Sequence, residues 1–126
     1  LYFPLVMDPV YGYQAVNVEA QERSPGSLLH FMRRLIAVRR QYRAFSRGGM
    51  AFLRPANPRV LAYLRRYKRE IMLCVVNLSQ HVQHCELDLA DQGLQGWTPW
   101  ELFGRTEFPA IGDRPYFLTL GPHAFY

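Results

Sequence analysis

Two cysteines in 126 residues are too few for a disulfide framework. Their scarcity excludes the small stapled folds of secreted proteins and makes a reducing cytoplasm the expected setting. No apolar run approaches the length of a membrane span. The first residues show no basic region leading into an apolar one, so no signal peptide is expected. A Gly-rich phosphate loop and a Ser elbow of the G-x-S-x-G type are both missing, which removes two familiar signatures of phosphate binding and of serine hydrolysis. There is no internal repeat and no low-complexity segment. An initiator Met is also missing, since Leu1 comes first, and the expectation is a processed or truncated chain.

What is present fits an ordinary globular protein of one domain's length, with 49% hydrophobic and 20% charged residues. At this size folding buries roughly two-thirds of the surface that the unfolded chain exposes, enough for a core. Residues 1–23 read as an irregular or extended lead-in, because Pro4, Pro9 and Gly12 interrupt any long helix. Ser24 and Pro25 predict a helix start, and the helix runs through Leu28 to Tyr42, with Gly48 and Gly49 beyond its end. Leu28, Phe31, Leu35, Val38 and Tyr42 make one apolar stripe, while Leu29, Met32 and Ile36 widen the arc beyond what one packed face needs. Such a helix is expected to touch two neighbours, one of them outside this sequence.

From Met50 the pattern changes to short strands: Met50–Arg54, Val60–Arg66, Ile71–Asn77, Val82–Leu89, Thr98–Phe103, Tyr116–Leu120 and His123–Tyr126. Turn residues separate them, and several alternate apolar with polar. Met72–Val76 is continuously apolar, as a central strand buried on both faces would be. The spacing predicts a mainly β chain, an antiparallel sandwich preceded by one long helix.

Candidate chemistry is thin. Arg33, Arg34, Arg39, Arg40, Arg43 and Arg47 lie on or just after the helix and account for much of the net charge of +5. Nucleic-acid binding is the functional reading, but no recognised motif accompanies them. A solvated flank with arginine stems over apolar surface is the stronger one, with a structural ion pair expected at Arg39. Cys74, His81, His84 and Cys85 lack the paired spacing of a zinc site. Pairing Asn77 with Val82 across a turn would set Cys74 opposite Cys85 as two free thiols. Glycosidase chemistry needs two carboxyls roughly 5–10 Å apart across a bond, and no pair among Asp8, Glu19, Glu22, Glu70, Glu86, Asp88, Asp91, Glu101, Glu107 and Asp113 announces itself. Asn77-Leu-Ser79 matches a glycosylation sequon, yet reads more simply as a turn after a strand. Most of the late aromatics are assigned to the core, with Trp97 or Trp100 expected at the surface.

One segment is too specific in its order for a generic loop. Asp8-Pro-Val-Tyr-Gly-Tyr-Gln-Ala-Val-Asn-Val-Glu-Ala-Gln21 resembles the end of the catalytic barrel in trehalose synthases of the alpha-amylase family, also called maltose alpha-D-glucosyltransferases. The likeness continues through Ser27-Leu-Leu-His30, Arg33-Arg-Leu-Ile-Ala-Val-Arg39, Val60-Leu-Ala-Tyr-Leu-Arg65 and Leu73-Cys-Val-Val-Asn-Leu-Ser79. It closes with Glu101-Leu-Phe-Gly-Arg-Thr-Glu-Phe-Pro109, Ile111-Gly-Asp113 and Leu118-Thr-Leu-Gly-Pro-His123. It covers nearly the whole chain, and its first and last blocks are the specific ones.

The resemblance implies an anatomy: residues 1–47 as the end of a (β/α)8 barrel, and 48–126 as a C-terminal antiparallel Greek-key β-sandwich. It implies a family chemistry that interconverts maltose and trehalose by intramolecular glucosyl transfer. The nucleophile, the acid/base and the third carboxylate all belong to barrel segments upstream of Leu1. The chain alone is therefore expected to be inactive, with no catalytic, cofactor-binding or metal residues and no cofactor. Tyr11, Tyr13 and Gln14, nearest the barrel, are read as packing at its joint with the sandwich. The expected partners are the chain's own catalytic barrel and a maltokinase, fused or associated, with no nucleic acid and no membrane. The alternative reading is a stand-alone carbohydrate-binding sandwich.

Overall fold

The structure, a computed structural model, describes residues 2–126; the first residue of the expected lead-in, Leu1, lies outside them. The chain divides into two compact units, one ending at Gln41 and one spanning Tyr42–Tyr126. Among the described residues no helix is long and apolar enough to cross a membrane.

The first unit contains two helices, α1 (Val18–Arg23) and α2 (Leu28–Gln41). Helix α1 corrects the expectation of an irregular lead-in through residue 23. Asn17 starts it, because its side-chain oxygen accepts the Ala20 N–H at 2.8 Å. Helix α2 is capped by Ser27, not by Ser24: the Ser27 hydroxyl accepts the His30 N–H at 3.4 Å and donates to the Gln21 carbonyl at 2.6 Å. Ser24 instead closes α1. The Gln21 side-chain oxygen takes the Leu29 N–H at 3.2 Å, so α1 supplies part of the cap of α2. Phe31, Leu35 and Val38 of the expected stripe are half-buried, whereas Leu28 is exposed.

The second unit opens with a short helix α3 (Ala44–Arg47), where the sequence pointed only to the end of the long helix. Side chains of the following sheet fasten it. Glu70 accepts the Ala44 N–H at 2.8 Å, and Arg65 donates to the Ala44 and Phe45 carbonyls at 3.2 and 3.1 Å. Strands β1 (Gly49–Leu53), β2 (Val60–Tyr67) and β3 (Glu70–Asn77) form an antiparallel sheet in that order. Outside β3 the chain's last residues pair in turn: Val75 and Tyr126 exchange two hydrogen bonds of 2.9 and 2.8 Å, and Asn77 donates to Ala124 at 2.9 Å. The last expected strand is therefore a bridged segment, and β3 lies between it and β2. Of β3 only Val75 and Asn77 are buried, so its continuous apolar run does not mean burial on both faces within this chain.

A second antiparallel sheet pairs β4 (Gln83–Leu87) with β7 (Tyr116–Leu120), and a two-stranded ribbon pairs β5 (Trp100–Glu101) with β6 (Thr106–Glu107). Strand β6 had no clear apolar pattern to announce it. The expected strand over Thr98–Phe103 shrinks to two residues between Pro99 and the turn at Gly104. Burial follows period two, at Val60, Ala62 and Leu64 on β2, Cys85 and Leu87 on β4, and Tyr116, Leu118 and Leu120 on β7. These residues, with Val75, Leu89, Leu94 and Ile111, form one core between the facing sheets. The unit is a mainly antiparallel β-sandwich, as the strand spacing predicts. Each fully buried Leu in it contributes about 1.5–3 kcal/mol.

Candidate functional site

The opening run folds upon itself. The Asp8 carboxylate accepts the Val10 and Tyr11 N–H groups at 2.8 and 2.9 Å, and the Asp8 carbonyl accepts the Gly12 N–H at 2.6 Å. Position 12 needs glycine because a Cβ there would run into the Asp8 carbonyl oxygen and press on that of Val6. Gly12 in turn accepts from Ala15 and Val16 at 3.0 and 2.8 Å. Asn17 ties the loop to α1, its amide donating to the Tyr13 and Gln14 carbonyls at 3.1 and 3.0 Å. The polar residues of this segment are thus engaged in shaping it. They leave an open cleft of about 340 Å³ between residues 6–9 and 12–15, with Tyr13 and Gln14 on its wall. Tyr11, Tyr13 and Gln14 are all exposed, and the Gln14 amide lies 3.4 Å from the Tyr13 hydroxyl.

The carboxylates do not converge. Besides Asp8, Glu19 pairs with Arg23, and Glu22 with Arg33 at 3.0 Å. Glu70 holds α3, and Glu101 accepts the Phe103 N–H at 3.1 Å and the Gly104 N–H. Glu86, Asp88, Asp91, Glu107 and Asp113 are exposed. Among the described residues no three His, Cys, Asp or Glu side chains are grouped to hold a metal.

The two thiols lie apart from the arrangement expected of them. Strand β3 pairs with β2 and β4 with β7, so Cys74 faces Tyr63 while Cys85 faces Leu118. Both are free. Burial pushes both thiols above the ordinary value, and the Tyr63 phenol beside Cys74 is raised too, mainly by burial. Neither is an activated nucleophile.

The sequon is a structural tie. Asn77 is buried, and its amide donates to the carbonyls of His81, Gly121 and Leu120 at 2.7, 2.8 and 3.5 Å. Its side-chain oxygen accepts the Ser79 N–H at 2.9 Å. Asn77 thereby stitches the turn after β3 to the end of β7, and no nitrogen is free to carry a sugar. The arginines of α2 behave as a solvated flank: Arg33 meets Glu22, Arg34 reaches the Pro25 carbonyl at 3.4 Å, and Arg39 is exposed with no ion pair among the described residues. The ion pair expected at Arg39 is therefore not formed. Trp97 and Trp100 are both 54% exposed, as expected of them. Tyr116 is in the core, whereas Phe117, Phe103 and Tyr126 join the tryptophans at the surface.

Comparison with known proteins gives this arrangement a context. Residues 50–126 match the model of the maltogenic amylase C-terminal domain. All of the chain aligns with the trehalose synthase of Pimelobacter sp. (strain R48), 49% identical over 130 residues and 22% of that protein's length. The trehalose synthase/amylase TreS of Mycobacterium tuberculosis (strain H37Rv) is 52% identical over 129 residues, again across the whole chain and over 21% of the relative. The chain spans about a fifth of the length of these relatives. Among solved structures, AmyP in complex with maltose superposes with a TM-score of 0.70 at 19% identity, covering 87% of this chain and 20% of that one. The trehalulose synthase MutB, as its A258V mutant, gives 0.65 at 29% identity, covering 92% and 20%.

Proposed function

The chain belongs to the family of maltogenic amylase C-terminal domains, and from that premise we propose that it is the C-terminal part of a trehalose synthase. The complete enzyme would interconvert maltose and trehalose. Its catalytic carboxylates would come from upstream, and this part would be structural and inactive alone. One observation carries the reading. A chain matched end to end by trehalose synthases has an unsatisfied helix: Leu28, Met32 and Ile36, one turn apart along α2, are 68%, 44% and 49% exposed. An apolar stripe on a helix is normally buried against a neighbour. Packing on elements of the catalytic barrel accounts for it, and the exposed Tyr11 and Tyr13 fit the same joint.

Trp97 and Trp100 supply the surface that we assign to a maltokinase partner, since exposed aromatics are enriched at interfaces. The two free thiols support a cytoplasmic setting. Activity is the direct test. The chain alone should form no trehalose from maltose, and the same chain joined to its upstream region should. Turnover by the isolated chain would overturn the proposal. Retention of the isolated chain on an immobilised glucan would instead favour the carbohydrate-binding alternative. Failure of a maltokinase to bind the Trp97→Ala-sensitive surface would remove only the partner assignment.

A further inference from the structure

Strand β1 is an edge strand whose outer side is open. It pairs with β2 from Gly49↔Arg66 to Leu53↔Ala62 without a bulge. No backbone group of residues 49–53 makes a hydrogen bond outside that ladder among the described residues. Gly-Met-Ala-Phe-Leu carries no charge and no proline, the usual devices that blunt an edge. Met50 and Phe52 point to the face away from the core and are 47% and 62% exposed. Phe52 packs edge-on against Tyr63, with ring centroids 6.2 Å apart.

We propose that β1 pairs antiparallel with β1 of a second copy of this chain, about a two-fold axis at Ala51, joining two three-stranded sheets into one of six strands. The sequence is self-complementary in that register. Met50 of one copy lies opposite Phe52 of the other, twice, which sets sulfur against an aromatic ring. Gly49 lies opposite Leu53, small against large, and the two Ala51 residues meet on the axis. The pleat selects the register. Arg54 falls opposite Gly48 at the end of the ladder, and Arg47 lies in helix α3, outside it. A slip of one residue sets each outward side chain opposite one that faces the core. Pro55, which has no N–H, ends the ladder.

Sedimentation equilibrium across a concentration series tests the pairing. The chain should dimerise. Met50→Lys with Phe52→Lys should weaken the dimer by about tenfold or more, because lysines then face lysines across the axis. Met50→Glu with Phe52→Lys should restore it, since opposite charges then face each other. Register is checked by oxidative cross-linking, with the unsubstituted chain as background for the native thiols. Ala51→Cys should bridge two copies, whereas Gly49→Cys should not, its sulfur pair lying about 14 Å apart along the strands. Circular dichroism confirms that each variant is folded. A monomer at every concentration overturns the proposal. So does a Glu/Lys pair no better than the double Lys, or equal cross-linking at positions 49 and 51.

Discussion

Tyr42–Tyr126 sets twelve buried residues between two sheets, whereas among the described residues up to Gln41 only Gly12 and Ser27 are buried. Yet the earlier unit is not short of apolar residues. Phe3, Leu5, Val6, Met7, Val10 and Val16 are exposed along the lead-in alone. What holds it in shape is local and polar: the Asp8 turn, the Asn17 amide, and the Ser27 and Gln21 caps. The difference teaches that regular secondary structure and a core are separate achievements. Caps and turns define where a helix begins for about 1 kcal/mol each, but only burial supplies the tens of kcal/mol that offset chain entropy.

The largest expected effect comes from separating the units at 41/42. Residues 42–126 should unfold cooperatively on heating, as a domain with its own core does. Residues 1–41 should be mostly disordered by circular dichroism, because helices of six and fourteen residues are marginal without packing. A cooperative melt from the smaller piece would break the comparison.

Point substitutions sharpen it. Leu64→Ala, at a fully buried position on β2, should cost about 2–5 kcal/mol. Leu28→Ala on α2 should stay within about 0.5 kcal/mol in this chain, since its side chain is exposed. In the longer polypeptide the same Leu28→Ala should cost about 2 kcal/mol or more. Silence there, measured by urea denaturation, would remove the packing partner assigned to α2.

Asn77→Ala should come next, at about 2–3 kcal/mol, because three carbonyls lose their donor and part of the cluster is buried. Asn77→Asp should be no milder at neutral pH, since a carboxylate cannot donate to those oxygens, and it should recover partly on acidification. Equal stability of Asn77→Asp and the parent across pH would show that the tie carries no weight.

How much of this was legible in the sequence follows the same division. Strands β2, β4 and β7 could be read because their apolar residues alternate, as at Val60, Ala62 and Leu64, and β3 because Met72–Val76 is continuously apolar. Long-range pairing could not. The turn after Asn77 looked like a hairpin, but β3 pairs with β2 and the chain's last residues, so Cys74 and Cys85 end up facing other strands. Short elements held by single side chains were also missed. Helix α1 depends on Asn17 and α3 on Glu70 and Arg65, contacts across 3, 26 and 21 residues that no periodicity reveals. The signal for α1 was nonetheless present, in an Asn with Glu19 in the turn that follows. The engagement of the carboxylates in turns and caps could be seen only in three dimensions.

Alkali distinguishes the units without any mutation. Burial raises Cys74 and Cys85 above an ordinary 9.0, and Tyr63 and Tyr116 above 10.0, all within Tyr42–Tyr126. In the folded state the neutral forms are favoured, so the stability they contribute is complete below about pH 9. It is lost as pH rises through the raised values, because the unfolded chain releases its protons first. The urea midpoint of residues 42–126 should therefore fall progressively above about pH 9. A midpoint that is flat or rises over that range would contradict the burial of these groups.

The smallest effects belong to the caps of the first unit. Asn17→Ala should cost about 1 kcal/mol and Ser27→Ala about the same. The Asn17 change removes one accepted and two donated hydrogen bonds, so amide exchange should quicken in α1 and in the loop at Tyr13 and Gln14. Ser27→Ala should quicken exchange at the start of α2, where the His30 N–H loses its acceptor. Neither should move the melting of residues 42–126, whose core contains no atom from these caps. If a cap substitution lowered that melting temperature as far as Leu64→Ala does, the polar stitching of the first unit would be supporting the second unit's core, and the contrast between them would have to be given up.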